Sequence, residues 1–187
     1  MLKIDFINKI KKLAKKHKMK MHLDGARCLN AAVYLGISPA EMTADFDTVS
    51  VCLSKGLGSP LGSLIVGTQA DIKRALIIRK LLGGNLRQAG IIAQCGLESF
   101  KDWDTKLKED HENALWFASE LKKYPCIDLD PSLIETNIFR FKFTPDFKKF
   151  KHNTFADMMR DDHGILMNYG HQNESLRIVT HRNLSKK

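Results

Sequence analysis

Apolar residues recur at three- and four-residue spacing at the start of the chain: Ile4, Ile7, Ile10, Leu13 and Ala14, with lysines on the opposite face. That period predicts an amphipathic helix over 4–17. A short strand from Met19 to Leu23 is expected next, ending in Asp24-Gly-Ala-Arg27. A second helix is predicted over about 27–36, stopped at Gly36, the residue type that most readily takes the helix-closing left-handed conformation. Ser38-Pro39-Ala-Glu41 reads as a capped helical turn with proline at its first position. Thr48-Val-Ser-Val-Cys-Leu53 is β-branched and nearly all apolar, the pattern of a strand buried on both faces. It runs into Ser54-Lys55-Gly56-Leu57-Gly58, and a third strand is expected over Ser63–Val66.

Helical spacing dominates from about 69 to 122, until Pro125 breaks it. Strands alternating with helices at these intervals predict an α/β layer with parallel or mixed strands. Beyond the proline the texture changes. Thr136–Phe143 and Ser175–His181 read as strands, with helical spacing between them over Thr154–Asp161. This is the pattern of a second, smaller α/β lobe, and the expected division is 1–110 and 111–187.

Composition narrows the class. Hydrophobic residues make up 43% and charged residues 27%, as in ordinary soluble globular proteins. No apolar run approaches the roughly 20 residues of a membrane span, and the first residues lack the apolar core and cleavage site of a secretory signal. Cys28, Cys52, Cys95 and Cys126 lie far apart with no C-x-x-C pair, so a reduced, cytoplasmic chain without a metal site is expected. The tripeptides beginning at Asn173 and Asn183 fit the glycosylation pattern but carry no weight without a signal. The net charge of +9 raises nucleic acid as a partner. The lysines, however, are dispersed over 9–20, 101–108, 148–151 and the tail, and no nucleic-acid motif accompanies them. Solvated helix faces and sites for an anionic cofactor account for the charge better.

Three features carry candidate chemistry. Lys55 follows an apolar strand and precedes glycines. It is either an exposed loop lysine or, at a strand's carboxyl end where α/β sheets bind ligands, an amine available for a Schiff base. Asp24 also ends a strand. It either caps the following helix or pairs with a protonated pyridine nitrogen. Gly56, Gly58 and Gly62 are neither G-x-G-x-x-G nor a P-loop, because the third glycine comes too late and Lys55 precedes them.

Taken together, His22-Leu-Asp24-Gly-Ala-Arg27-Cys-Leu-Asn-Ala and Ser50-Val-Cys-Leu-Ser-Lys55-Gly-Leu-Gly-Ser-Pro-Leu-Gly62 closely resemble the low-specificity L-threonine aldolases, which are fold-type-I pyridoxal-phosphate enzymes. The likeness continues through Arg79-Lys80-Leu-Leu-Gly-Gly-Asn-Leu-Arg87-Gln-Ala-Gly, Glu135-Thr-Asn-Ile and Arg177-Ile-Val-Thr-His181, and so covers nearly the whole chain.

The resemblance implies pyridoxal 5'-phosphate as cofactor, held by Lys55, Asp24 and Arg27, with Lys55 as the catalytic lysine. It implies that Arg177 grips the substrate carboxylate, and that Lys80 and Arg87 are basic substrate-site residues supplied across a subunit interface. The reaction implied is cleavage of L-threonine or L-allo-threonine, β-hydroxy amino acids, to glycine and acetaldehyde in a homodimer or homotetramer. It also implies that the front half of a family member lies outside this sequence. Residues 1–110 then form part of the cofactor-binding large domain, with an incomplete sheet, and 111–187 the small C-terminal domain. An incomplete sheet predicts exposed apolar edges and faces, and a chain that is poorly soluble or partly folded on its own. Two alternatives remain open: an inactive paralogue that binds a full-length subunit, and another pyridoxal-phosphate lyase or aminotransferase.

Overall fold

The computed structural model describes residues 2–147, 152–167 and 175–184. The lysine run 148–151, Asn173 and the terminal lysines lie outside these. The chain divides into two compact units, residues 1–108 and 109–187.

In the first unit, α1 spans Ile4–Lys16. It closes on Lys18, whose φ is 52°, with the Met19 amide donating to the Ala14 carbonyl at 2.9 Å. This helix-closing bond uses the backbone expected to begin a strand, so β1 is confined to His22–Asp24. Helix α2 spans Cys28–Leu35 and ends at Gly36 with φ 66°. In α3, Pro39–Thr43, the Ser38 hydroxyl accepts the Glu41 amide at 3.1 Å. Strand β2, Thr48–Cys52, runs parallel to β1, and β3, Ser63–Gly67, runs antiparallel to β2. Helices α4 (Gln69–Leu81), α5 (Gly90–Ser99) and α6 (Trp103–Lys122) follow. The core of the unit is Cys28, Leu29, Leu53, Leu57 and Leu107, bordered by Leu23, Val33, Met42, Val51 and Trp103.

The expectation of a strand buried on both faces over 48–53 does not hold. Val49 alone is buried within β2, and β3 is exposed at every position. In the three-stranded sheet of order β1-β2-β3, β2 is paired on both sides and β1 and β3 are edges; strand neighbours pair backbone without covering a face, so burial of β2 and β3 depends on elements stacked on the sheet. Apolar surface continues onto α4, its C-cap and the start of α5, where Ile77, Leu81, Leu82 and Ile91 are all well over half exposed. The exposed apolar edges and faces expected of an incomplete sheet are therefore present.

In the second unit, β4 (Ile127–Asp128), β5 (Ile138–Phe143) and β6 (Leu176–Val179) form an antiparallel sheet in that order, with α7 at His152–His163. Its core joins Ala114 and Ala118 to Ile127, Leu129, Phe139, Phe141 and Leu176. The buried Asn137 amide donates to the Thr180 carbonyl at 2.7 Å, and the Thr180 hydroxyl donates to the Asp110 carbonyl at 2.6 Å. Among the described residues, no helix is long and apolar enough to cross a membrane.

Candidate active site

Strands β1 and β2 point the same way, with Asp24 in register with Ser50. Asp24 is the last residue of β1, and Lys55 stands three residues beyond Cys52, the last of β2. A carboxylate and an amine therefore emerge at the same carboxyl edge of the parallel pair, where open α/β sheets bind ligands.

The loop after β1 folds tightly against its neighbour. A Cβ on Gly25 would lie 2.7 Å from the Ser50 carbonyl oxygen and 2.9 Å from Val49 Cγ1. Glycine is required there by space, since its φ is not in the left-handed region. Asp24 Oδ1 accepts the Ala26 amide at 3.2 Å, an Asx-type turn. The helix-cap reading of Asp24 is thereby set aside: Arg27 is the N-cap of α2, and it makes no side-chain cap bond. Arg27 is half-buried and, with Asp24, Gly25 and Lys11, borders a mainly apolar cavity of about 440 Å3 that Lys55 does not line. Cys28 sits beside it, and burial pushes its thiol pKa up, which disfavours the reactive thiolate.

Lys55 is presented by a stapled turn. Leu53 N donates to the Gly62 carbonyl at 3.0 Å, Ser59 N to the Leu53 carbonyl at 3.0 Å, and Gly58 N to the Lys55 carbonyl at 2.9 Å. Gly58 and Gly62, with φ of 71° and 114°, let the chain make these reversals. Leu53, Leu57 and Ser59 are buried while Ser54 and Lys55 are exposed, so the turn is anchored from below and offers the lysine upward. Gly56 admits Asn30, whose Oδ1 lies 2.9 Å from where its Cβ would be. Asn30 is only 2% exposed and was not singled out from sequence; the available signal was a polar residue on the buried face of α2.

The other expected site residues lie elsewhere. Lys80 is in the last turn of α4, and Arg87 follows that helix. Both are exposed, and no hydrogen bond or ion pair joins them to Asp24, Arg27 or Lys55 among the described residues. Arg177 is exposed on β6 of the second unit, directly opposite Arg140 of β5.

A carboxylate and an amine at the end of a parallel strand pair define a class, and comparison with known proteins gives it a name. Residues 1–144 match the beta-eliminating lyase family, and the chain belongs to it. Within that class the chain is similar to threonine aldolases. A probable low-specificity L-threonine aldolase of Arabidopsis thaliana is 37% identical over 184 residues, which is 98% of this chain and 51% of the relative. The low specificity L-threonine aldolase of Escherichia coli (strain K12) is 41% identical over 64% of this chain and 36% of its own.

Among solved structures, a putative aromatic amino acid beta-eliminating lyase/threonine aldolase from Exiguobacterium superposes with a TM-score of 0.80 at 19% identity, covering 100% of this chain and 54% of that one. A putative L-allo-threonine aldolase from Listeria monocytogenes gives 0.75 at 20% identity, covering 97% and 51%. The resemblance to threonine aldolases and the fold-type-I α/β architecture both hold. The chain spans about half the length of the curated relatives it matches across its full extent.

Proposed function

We propose that this chain contributes the lysine-bearing part of a pyridoxal-phosphate-dependent threonine aldolase, which cleaves L-threonine or L-allo-threonine to glycine and acetaldehyde. The observation that carries this reading is the placement of Asp24 and Lys55 on one carboxyl edge, joined by the parallel register of β1 and β2. The donor set fits the cofactor: a carboxylate for the pyridinium proton, an exposed amine for its aldehyde carbon, and no side chain at Gly25 to crowd the loop.

Bound there, pyridoxal phosphate supplies an electron sink for the carbanion left when the substrate Cα–Cβ bond breaks. Asp24 would keep the proton on the ring nitrogen through a charge-assisted hydrogen bond. Lys55 would hold the cofactor through its Nζ. Arg27 borders the same loop and supplies positive charge beside it. Arg177 offers a planar fork to the substrate α-carboxylate, and Lys80 and Arg87 act at the site of a neighbouring subunit in a dimer or tetramer. The exposed apolar surface of β3 and α4 favours a second reading, in which the chain serves as a binding partner of a full-length subunit.

The test is direct. Purified protein is mixed with pyridoxal phosphate, reduced with borohydride and mapped by peptide mass, and acetaldehyde release from L-threonine and L-allo-threonine is followed. A visible band and a mass adduct at Lys55, both lost in Lys55→Ala, are expected. Absence of the adduct in the wild-type chain sinks the reading.

A further inference from the structure

Helix α1 has two ridges that carry apolar residues, and one of them turns away from the rest of its unit. Ile7, Lys11 and Ala14 form the inward ridge, with Ala14 buried and the other two half-buried. Phe6, Ile10 and Leu13 each stand one residue earlier, about 100° around the axis at 3.6 residues per turn. They are 51%, 39% and 57% exposed, so a second apolar stripe faces outward. Lys9 follows Phe6 by three residues and precedes Leu13 by four, and Lys16 follows Leu13 by three, which sets both beside that stripe. Lys12 neighbours both lysines. All three are exposed, and no ion pair engages them among the described residues. The helix holds five lysines against one acid, Asp5. Apolar side chains in water and like charges at helical neighbours both cost stability. A surface that is negative at its rim and apolar just beneath offsets both.

We propose that the outward side of α1 docks on an anionic lipid surface, lying in the plane of the headgroups with Phe6, Ile10 and Leu13 at the acyl boundary. Lys9, Lys12 and Lys16 meet the negative headgroups. This is attachment to a surface, and it needs no spanning helix. A second copy of α1 fits poorly, because its lysines repel these. Nucleic acid would engage the lysines and leave the apolar stripe in water. The proposal is independent of the reaction proposed for Lys55.

The experiment is flotation of the purified chain with vesicles on a density gradient, which separates lipid-bound protein from aggregates that sink. Vesicles of phosphatidylcholine alone are compared with an equal mixture of phosphatidylcholine and phosphatidylserine. Wild type is expected to float with the mixture, less so as salt rises, and not with phosphatidylcholine alone. Lys9→Gln with Lys12→Gln should weaken binding roughly 25-fold, about fivefold for each lysine near the surface. Lys73→Gln with Lys108→Gln removes the same charge elsewhere and should bind as wild type. Phe6→Ser with Leu13→Ser should also release the protein, and circular dichroism checks that the variant is folded. Phe6→Trp, which keeps the stripe apolar, should shift its emission to the blue on binding and carries the comparison if the serine pair does not fold. No flotation with the mixture, equal flotation with phosphatidylcholine alone, equal loss in both lysine pairs, or no blue shift would overturn the proposal. So would binding that survives in a folded serine pair, displacement by duplex DNA of equal charge, or flotation lost only in Ile65→Lys, which would move the contact to β3.

Discussion

Gly25 offers the sharpest test of the geometry, because its environment separates space from backbone strain. Replacing it by alanine puts a methyl carbon 2.7 Å from the Ser50 carbonyl oxygen, 2.9 Å from Val49 Cγ1 and 3.2 Å from Cys28 Sγ. The first is backbone of the paired strand and cannot rotate aside, so β1 and β2 must separate or the loop must lift. Overfilling a packed site costs about 1–3 kcal/mol, and the rigid neighbour argues for the upper end. At roughly 4 °C per kcal/mol for a domain of about this size, Gly25→Ala should lower the melting temperature by about 10 °C. The displaced loop carries Asp24 and Arg27, so the pyridoxal-phosphate band should weaken too. Gly36→Ala is the control. Its φ of 66° strains an alanine, but nothing lies within 4 Å of the added carbon, so it should cost about 1–2 kcal/mol and leave the band alone. Circular dichroism melts and cofactor titrations of both variants decide the matter. A Gly25→Ala protein that melts within 2 °C of wild type with an unchanged band refutes the packing argument.

Three further outcomes are expected. Ile65→Lys, at a 54% exposed position of edge strand β3, should reduce concentration-dependent light scattering, since a charged edge resists strand-to-strand association; unchanged scattering would place the aggregating surface elsewhere. Burial lowers the His111 pKa below its ordinary 6.5, so the native state resists a proton that the unfolded chain accepts. Its contribution is complete above pH 6.5 and is lost as pH falls toward the folded value; the melting temperature should drop from pH 7 to 5 with a shallower slope in His111→Gln, and equal slopes would exclude this histidine. Asn137→Ala strands the buried Thr180 carbonyl that its amide reaches at 2.7 Å and should cost about 1–3 kcal/mol in denaturant melts; a loss under about 0.5 kcal/mol would show that the carbonyl finds another donor.

Local chemistry was legible in the sequence, and long-range register was not. Helix α1 showed in its apolar spacing, the end of α2 in Gly36, and the start of α3 in the Ser38-Pro39 cap, because each is decided within a few residues. The true start of β1 was hidden, since the end of α1 relies on left-handed Lys18 where no glycine marks it. Strand β4 covers only Ile127–Asp128 and exists through its pairing with β5, which no periodicity can reveal. The full burial expected of β2 assumed a complete sheet around it. At the candidate site, strand ends drew attention to Asp24 and Lys55 with an alternative open for each, and the motif resemblance singled them out. The packing of Asn30 against Gly56 and the pairing of Arg140 with Arg177 join residues whose proximity appears only once the chain has folded.

The hydrogen bond from the Ala26 amide to Asp24 Oδ1 has a consequence for the timing of order. It restrains the carboxylate before any ligand is present and leaves Oδ2 without a partner among the described residues. The rotational entropy of that side chain is surrendered when the loop folds, not when a ring docks. On the function proposed above, a ring nitrogen docking at Asp24 would meet a restrained acceptor, and the ordering cost would fall on folding and not on affinity.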